Sequence, residues 1–545
     1  MKHIKSSTIE VISLFLILAL SAYLRLYRIG DNPGFNSDEG TAINIAYNLM
    51  QGKVQYLAIN QSTLLFAKLP LFSLALAGLF KIFGPGIETL RVFTALLGVL
   101  SVALLYGVLR FTFQGEKLIH LLSPGPGVSR IPISALPLLS AFFMAIYPQA
   151  ILYNRIGISY NLLTPLILLT FGGLAKYLEN EKPGWLILAA LALGIGTTNE
   201  LIAFSFLPAF VIIVSSRSLK AAIWSLCFFA LPFFIYTVVM LVTVPQAFIF
   251  DLAFTMTRVG SIPLLGQLPV AALDFAAVAH WDAWALLAVI GMLVMGSSRI
   301  GRMVVLFYLL TFIMIGGKTI VVGLGYYYIS PIFPFVATGI AGLVIFLTQR
   351  VFVVFSTGIV DLYHRLGWKP ENPMMVKLTN FLVVILICLA LFIFVLSPYL
   401  VSMAQMVTQA SQGIQTSNNW AMVDPNGARQ VAAYINRKVH PGDLVIASPA
   451  IAWMFHTDVT DFQQVVAAKG IATIHLPSNI PANRFAFSVD EKKARFVVID
   501  RIWRNWASVE MPAVKDLMEE VEKWRVVFSL GEFTVYENPS ITPQE

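Results

Sequence analysis

Charge is scarce in this sequence. Asp, Glu, Lys and Arg together make up only 12% of the 545 residues, about half the share usual in a water-soluble chain. Apolar residues make up 57%, and the mean hydropathy is +0.77. Cysteine is almost missing: Cys227 and Cys388 both sit in apolar runs, which supports neither a disulfide framework nor a metal cluster. No internal repeat is visible, and apart from Lys81 and the span ends almost no ionisable residue interrupts an apolar run. These absences exclude disorder, a cytosolic enzyme and a nucleic-acid-binding domain. They also disfavour proton-coupled transport, because ionisable residues inside the bilayer mark ion and substrate paths.

The charges that exist are unevenly spread. Residues 421–545 hold 15 acidic and 13 basic side chains, whereas residues 1–420 hold 14 and 24. This predicts a membrane region over 1–400, a linker over 401–420 and an α/β domain over 421–545. A bilayer core of about 30 Å needs roughly 20 apolar residues as helix. Eleven segments approach this, near 9–27, 91–110, 131–149, 160–178, 184–199, 201–216, 221–243, 283–298, 302–317, 328–348 and 379–400. The first follows Lys2 and Lys5 and reads as an uncleaved anchor, since its apolar character runs past the small residues near Ser21. A twelfth stretch, Leu69–Phe83, is short and contains Lys81. Read as an interfacial helix in a first outer loop, 28–90, it leaves fifteen bases and six acids on the inner side, and nine bases and eight acids outside. The positive-inside rule favours that arrangement, with the amino terminus cytoplasmic and the carboxy-terminal domain outside.

With this topology, eight acids of the membrane region face outward: Asp31, Asp38, Glu39, Glu88, Glu200, Asp251, Asp274 and Asp282. Asp38 and Glu39 are adjacent, after the turn-forming run Gly30-Asp31-Asn32-Pro33-Gly34, just before helical pattern resumes at Thr41. Two roles suit them: capping a helix amino terminus, or standing as carboxylates at the mouth of the bundle, able to take a proton from an acceptor hydroxyl. The nine outward bases are Arg25, Arg28, Lys53, Lys68, Lys81, Arg91, Arg155, Arg258 and Lys318. Span-end bases commonly snorkel to headgroups. Here they run against the topological bias, and a bound lipid phosphate would explain them.

At these residues the chain resembles the GT-C superfamily of membrane glycosyltransferases, in the branch of protein O-mannosyltransferases and aminoarabinose transferases. Asp38-Glu39 stands where that family has its acidic pair. Lys68-Leu69-Pro70-Leu71 resembles the Lys-Pro-Pro-Leu that opens an interfacial helix ending in Phe-Gly, here Phe83-Gly84, and Arg91 resembles the Arg that begins the next span. Tyr153-Asn154-Arg155 resembles the second outer loop, and Tyr327–Pro334 a late Tyr-x-x-x-Pro-x-x-Pro element.

The resemblance implies a prokaryotic plasma-membrane enzyme that moves a sugar from a polyprenyl-phosphate donor to a lipid, glycan or protein acceptor at the outer face. Asp38 and Glu39 would be the catalytic pair, Asp38 as the base and Glu39 as its neighbour or a ligand of the acceptor. Lys68, Arg155, Lys318 and Arg258 would hold the donor phosphate, and Tyr160, Asn161, Glu200, Tyr327 and Tyr328 would line the substrate site. Relatives often place an acid soon after the second-loop Arg, where it helps hold a divalent metal. Here Arg155-Ile156-Gly157-Ile158-Ser159-Tyr160-Asn161 contains none. A hard cation prefers charged oxygen ligands, so metal dependence is doubtful and no metal ligand set is assigned. Membrane lipids are implied partners and nucleic acid is not. The competing class is a membrane transporter or lipid-linked saccharide flippase.

The outer segment 244–282 alternates Phe248, Phe250, Leu252 and Phe254 with other residues, which predicts a lipid-facing amphipathic piece. Trp281 and Trp284 read as interfacial anchors. In the last domain the pattern predicts a helix over Asn426–Val439, buried strands at Leu444–Ala447 and Phe496–Ile499, a helix over Val514–Trp524 and a hairpin of Arg525–Leu530 with Phe533–Glu537. Its first strand is not followed by a glycine loop that would cradle a phosphate, which argues against a nucleotide site.

Overall fold

The computed structural model describes residues 6–52, 57–58, 61–62, 69–112, 135–258, 264–296, 298–315, 324–348, isolated positions between 382 and 401, and 422–541. The expected eleventh span and the 401–420 linker therefore lie largely outside the described residues. The membrane region is helical: α1 (Ser6–Leu26), α2 (Ser37–Met50), α3 (Pro70–Phe83), α4 (Ile87–Thr112), α5 (Ala135–Ile146), α6 (Pro148–Asn154), α7 (Tyr160–Asn180), α8 (Pro183–Thr197), α9 (Leu207–Ser215), α10 (Leu219–Thr243), α11 (Pro245–Arg258), α12 (Leu264–Trp281), α13 (Ala283–Met295), α14 (Arg299–Ile315) and α15 (333–348). Among the described residues, five helices are long and apolar enough to cross a bilayer, and a sixth span results if α5 and α6 count as one. Exposed Ile12, Phe15 and Leu16 on α1 and Phe234, Ile235 and Val242 on α10 are what a lipid solvent permits and water would not.

The bends of this bundle place the loops between its helices. Pro148 opens α6, and the chain turns by 59° there, since proline removes a helical donor and clashes with the preceding turn. The turn carries Tyr153, Asn154 and Arg155 inward. A 3₁₀ stretch, Leu324–Ile332, precedes α15 and contains Pro331. On α13 and α15, a Cβ on Gly291 would lie 1.8 Å from the Gly339 carbonyl oxygen, so these two backbones touch only because both positions lack side chains. Helix α3 buries Phe72, Leu76, Ala77 and Phe80 and leaves Leu74, Ile82 and Phe83 exposed. It packs on α2 and the start of α4, outside the main bundle core.

Residues 422–541 contain a five-stranded sheet in the order β6 (Asp458–Thr460), β5 (Leu444–Ile446), β7 (Ala494–Ile499), β9 (Phe533–Glu537), β8 (Arg525–Leu530). The first three strands run parallel, and β9 is antiparallel to both β7 and β8. Every residue of β5 and β7 is buried, as expected for strands covered on both faces. The helices are α16 (Pro425–Asn436), α17 (Pro449–Ala452), α18 (Phe462–Ala468) and α19 (Pro512–Val521). Helix α16 buries Ala428, Val431, Ala432 and Ile435, the spacing of one helix face.

This domain is built into the segment between α1 and α3. Strand β1 (Phe35–Asn36) pairs antiparallel with β4 (Met422–Val423), and Arg429 forms an ion pair with Asp31 at 2.9 Å. Phe35 is fully buried against Trp453. Gly40 on α2 meets α17 so closely that a Cβ would lie 1.7 Å from the Pro449 carbonyl oxygen. The loop before α17 is fixed by Asp500, which accepts hydrogen bonds from the Ser448 hydroxyl and the backbone N–H of Ile502 and Trp503. Burial nevertheless raises the Asp500 carboxyl from 3.8 to about 6. Gly40→Ala is therefore expected to force α2 and α17 apart. Limited proteolysis should release the sheet domain from the variant much faster than from the wild type, and equal rates would show that the contact does not hold the domain.

Candidate functional site

The acidic pair divides its labour. Asn36 is the N-cap of α2: its Oδ1 accepts from the Asp38 N–H at 2.8 Å, and Glu39 Oε2 accepts from the Asn36 N–H at 3.0 Å, completing a capping box. Glu39 is fully buried and does much more. The Arg91 guanidinium donates to both of its oxygens at 2.7 Å, and the Gly157 N–H donates to Oε1 at 2.7 Å. Arg91 also donates to the carbonyls of Ile29, Pro33 and Gly34. The expectation that Glu39 acts on substrate is thus corrected. Its lone pairs are committed to the loop after α1, the start of α4 and the loop after α6.

Asp38, one residue earlier on the helix, points elsewhere. It is half-buried, and the Tyr327 hydroxyl lies 3.5 Å from its Oδ2. Tyr327 belongs to a cluster of rings. Its centroid is 4.4 Å from that of Tyr328, 5.4 Å from that of Tyr160 and 6.2 Å from that of Tyr153, and Tyr160 meets Tyr328 edge-on at 5.2 Å. The Ser159 hydroxyl donates to Glu200 Oε1, and Asn199 Nδ2 donates to the Ser159 carbonyl at 2.9 Å. The backbone of α3 joins this group, because the Leu71 N–H donates to the Thr198 carbonyl at 3.3 Å. Asp38, Tyr160, Glu200, Tyr327 and Tyr328 thereby converge from four chain segments, on the side of the bundle that carries the sheet domain.

Arg155 is another correction. It is 2% exposed, and its terminal nitrogens donate to the carbonyls of Leu24, Arg25, Tyr27 and Asn32. Arg25 is equally enclosed, bonded to Asn154 Oδ1 and to the carbonyls of Met144 and Ala145. Three of the bases that asked for a phosphate are therefore braces: Arg25, Arg91 and Arg155 satisfy carbonyls of irregular backbone that neither lipid nor helix could satisfy. Asn161, expected in the substrate site, is enclosed: it is 1% exposed, its Oδ1 accepts from Asn154 at 2.6 Å and its Nδ2 donates to the carbonyls of Tyr153, Ile156 and Ile158. Lys68 and Lys318 lie outside the described residues, as does the side chain of Arg258 on α11.

Two neighbouring expectations also change. Trp284 is buried in the bundle against Phe143 and Tyr147, in the first turn of α13, where the Asp282 side chain accepts from its N–H. The alternating phenylalanines of 244–282 form a helix, not a lipid-facing strip: Phe248 packs on Tyr236 and Met240, and Phe250 and Phe254 pack against Ala467 and Leu476 of the sheet domain. Sequence reasoning missed Ser159 and Asn199, whose only signal is that they flank Tyr160 and Glu200.

The architecture is that of a multi-pass helical membrane protein that carries a sheet domain. Two solved structures superpose on nearly the whole chain. ArnT from Cupriavidus metallidurans in the apo state aligns with a TM-score of 0.60 and 13% identity, covering 98% of this chain and 98% of that one. ArnT from the same organism bound to undecaprenyl phosphate gives 0.58 and 13%, covering 96% and 98%. At this identity the likeness is one of fold. No family model matches the chain, and no curated protein matches it.

Proposed function

We propose that this chain is an integral-membrane glycosyltransferase that moves a sugar from a polyprenyl-phosphate carrier to an acceptor hydroxyl at the outer face of the membrane. The observation that carries this reading is the position of Asp38: half-buried beside a tyrosine wall, on a helix turn that Glu39 and Arg91 hold rigid. Asp38 takes the proton of the acceptor hydroxyl as its oxygen attacks the anomeric carbon. The bond from that carbon to the phosphate oxygen breaks, and the carrier phosphate leaves as an anion. Such a leaving group needs little general-acid help, so the protein supplies a base and cations near the phosphate. Lys68 and Lys318 take that second role, with Arg258 at the edge of the outer segment. Tyr160, Tyr327, Tyr328 and Glu200 hold the sugar. The fold supports this reading, and so does the solved ArnT structure that binds undecaprenyl phosphate.

The test is incubation of the purified protein with a panel of lipid-phosphate sugars, scoring release of carrier phosphate with and without candidate acceptors. Acceptor-dependent release from at least one donor is expected, and no release from any donor would overturn the proposal. A chelator in the same assay decides metal dependence. Tyr327→Phe removes the hydroxyl facing Asp38 and keeps the ring contacts. Turnover is expected to fall about tenfold, in proportion to one lost hydrogen bond at the reacting carboxylate; an unchanged rate would take Tyr327 out of the site.

A further inference from the structure

A cavity lies in the sheet domain, apart from the tyrosine cluster. It has a volume of about 540 Å³ and is lined by residues of α18 and of the segment 480–491, within the size range of small-molecule sites. Its apolar wall includes Val465, Ile480 and the half-buried rings of Phe485 and Phe487. Its polar wall is Lys469, Ser488, Asp490 and Glu491.

Glu491 is the telling residue. It is 4% exposed, and its Oε1 takes the Lys469 ammonium at 2.6 Å. Its Oε2 is buried with no hydrogen-bond partner. A buried carboxylate oxygen without a donor is costly, and a ligand hydroxyl or amine would supply the missing hydrogen bond. Asp490 has one oxygen engaged by the Lys492 N–H at 3.0 Å. The cleft thus carries two carboxylates against one ammonium, which disfavours an anionic ligand. Two phenyl rings in the lining beside hydrogen-bond acceptors fit a molecule with one C–H-rich face and an edge of donors. A pyranose ring has both.

The cleft is tied to the membrane region. Ile480, in its wall, packs on the buried pair Ala467 and Leu476, and so do Phe250 and Phe254 of α11. Arg484, within the same segment, donates to the buried carboxylate of Asp251 on α11 at 3.1 Å. We infer that this cleft binds the saccharide portion of a non-acidic glycan and presents it as the acceptor. Binding is a property of the domain itself; the acceptor role rests on the glycosyltransferase reading above.

The experiment uses the full-length protein in detergent and follows binding of three soluble probes by saturation-transfer NMR: cellotriose, the glucosamine trimer and trigalacturonate. Saturable binding of cellotriose or the glucosamine trimer is expected, with trigalacturonate at least about tenfold weaker. Phe487→Ala and Glu491→Gln are each expected to weaken the bound probe about tenfold. Phe487→Ala alters a half-exposed ring, so it tests the cleft even if loss of the Lys469 partner unfolds Glu491→Gln. The proposal is overturned if neither non-acidic probe binds, if trigalacturonate binds best, or if Phe487→Ala binds as the wild type does. Carrier-phosphate release by Phe487→Ala is read alongside: acceptor-dependent release that falls with probe binding supports the acceptor role, unchanged release with lost probe binding overturns that role, and probe binding without release in any protein faults the enzymatic reading alone.

Discussion

Asp38→Asn is expected to abolish sugar transfer, a loss of about 10²–10⁴-fold if the carboxylate acts as general base, while the protein still folds. The geometry separates these two results. Asp38 is half-buried, and its cap contact to Asn36 uses the backbone N–H, which asparagine keeps. Carrier-phosphate release measures the first effect, and elution of a monodisperse peak at the wild-type volume measures the second. Full activity in a well-folded Asp38→Asn protein would remove the base assignment and leave the tyrosine wall without its reacting partner.

The neighbouring residue is expected to give the opposite phenotype. Removing one partner of a buried ion pair strands the other charge and costs about 3–5 kcal/mol, and Glu39–Arg91 is fully buried. Glu39→Ala leaves the Arg91 guanidinium without its carboxylate and the N–H groups of Asn36 and Gly157 without an acceptor. Arg91→Ala leaves Glu39 charged and strips donors from three loop carbonyls. Both variants should lose thermal stability sharply in detergent, with activity falling in step with the folded fraction. A folded but inactive Glu39→Ala protein would instead return Glu39 to the chemistry.

Two acids adjacent in sequence therefore differ in kind, and nothing in residue type distinguishes them. Asp38-Glu39 reads from sequence as a cap or as a catalytic pair; the fold makes one of each, because on a helix successive side chains point about 100° apart. Glu39 faces α4 and Asp38 faces the tyrosines. The same limit explains the arginines. An Arg at the end of an apolar run signals that something anionic or polar is near, and sequence cannot tell a lipid phosphate from a set of backbone carbonyls. The loop Gly30–Asn36 is extended and irregular, so its carbonyls lack helix partners and recruit Arg91 and Arg155.

Local patterns were more informative in the sheet domain. The hairpin Arg525–Leu530 with Phe533–Glu537 and the buried strands at 444–446 and 494–499 lie where alternation and apolar runs place them. Strand β6 was not legible: Asp458–Thr460 is three residues long and gains its strand character only by pairing with β5. The pairing of β1 with β4 joins residues almost four hundred positions apart and has no local signal at all.

Composition alone determined that this chain lives in a bilayer, since a mean hydropathy of +0.77 cannot be buried inside one water-soluble domain. Short-range periodicity determined where most helices and strands begin. Only the tertiary structure decided which charged groups brace the loops and which face the tyrosines. Burial and hydrogen-bond partnership are set by distant segments packing together, and a side chain's chemistry depends on those partners more than on its identity.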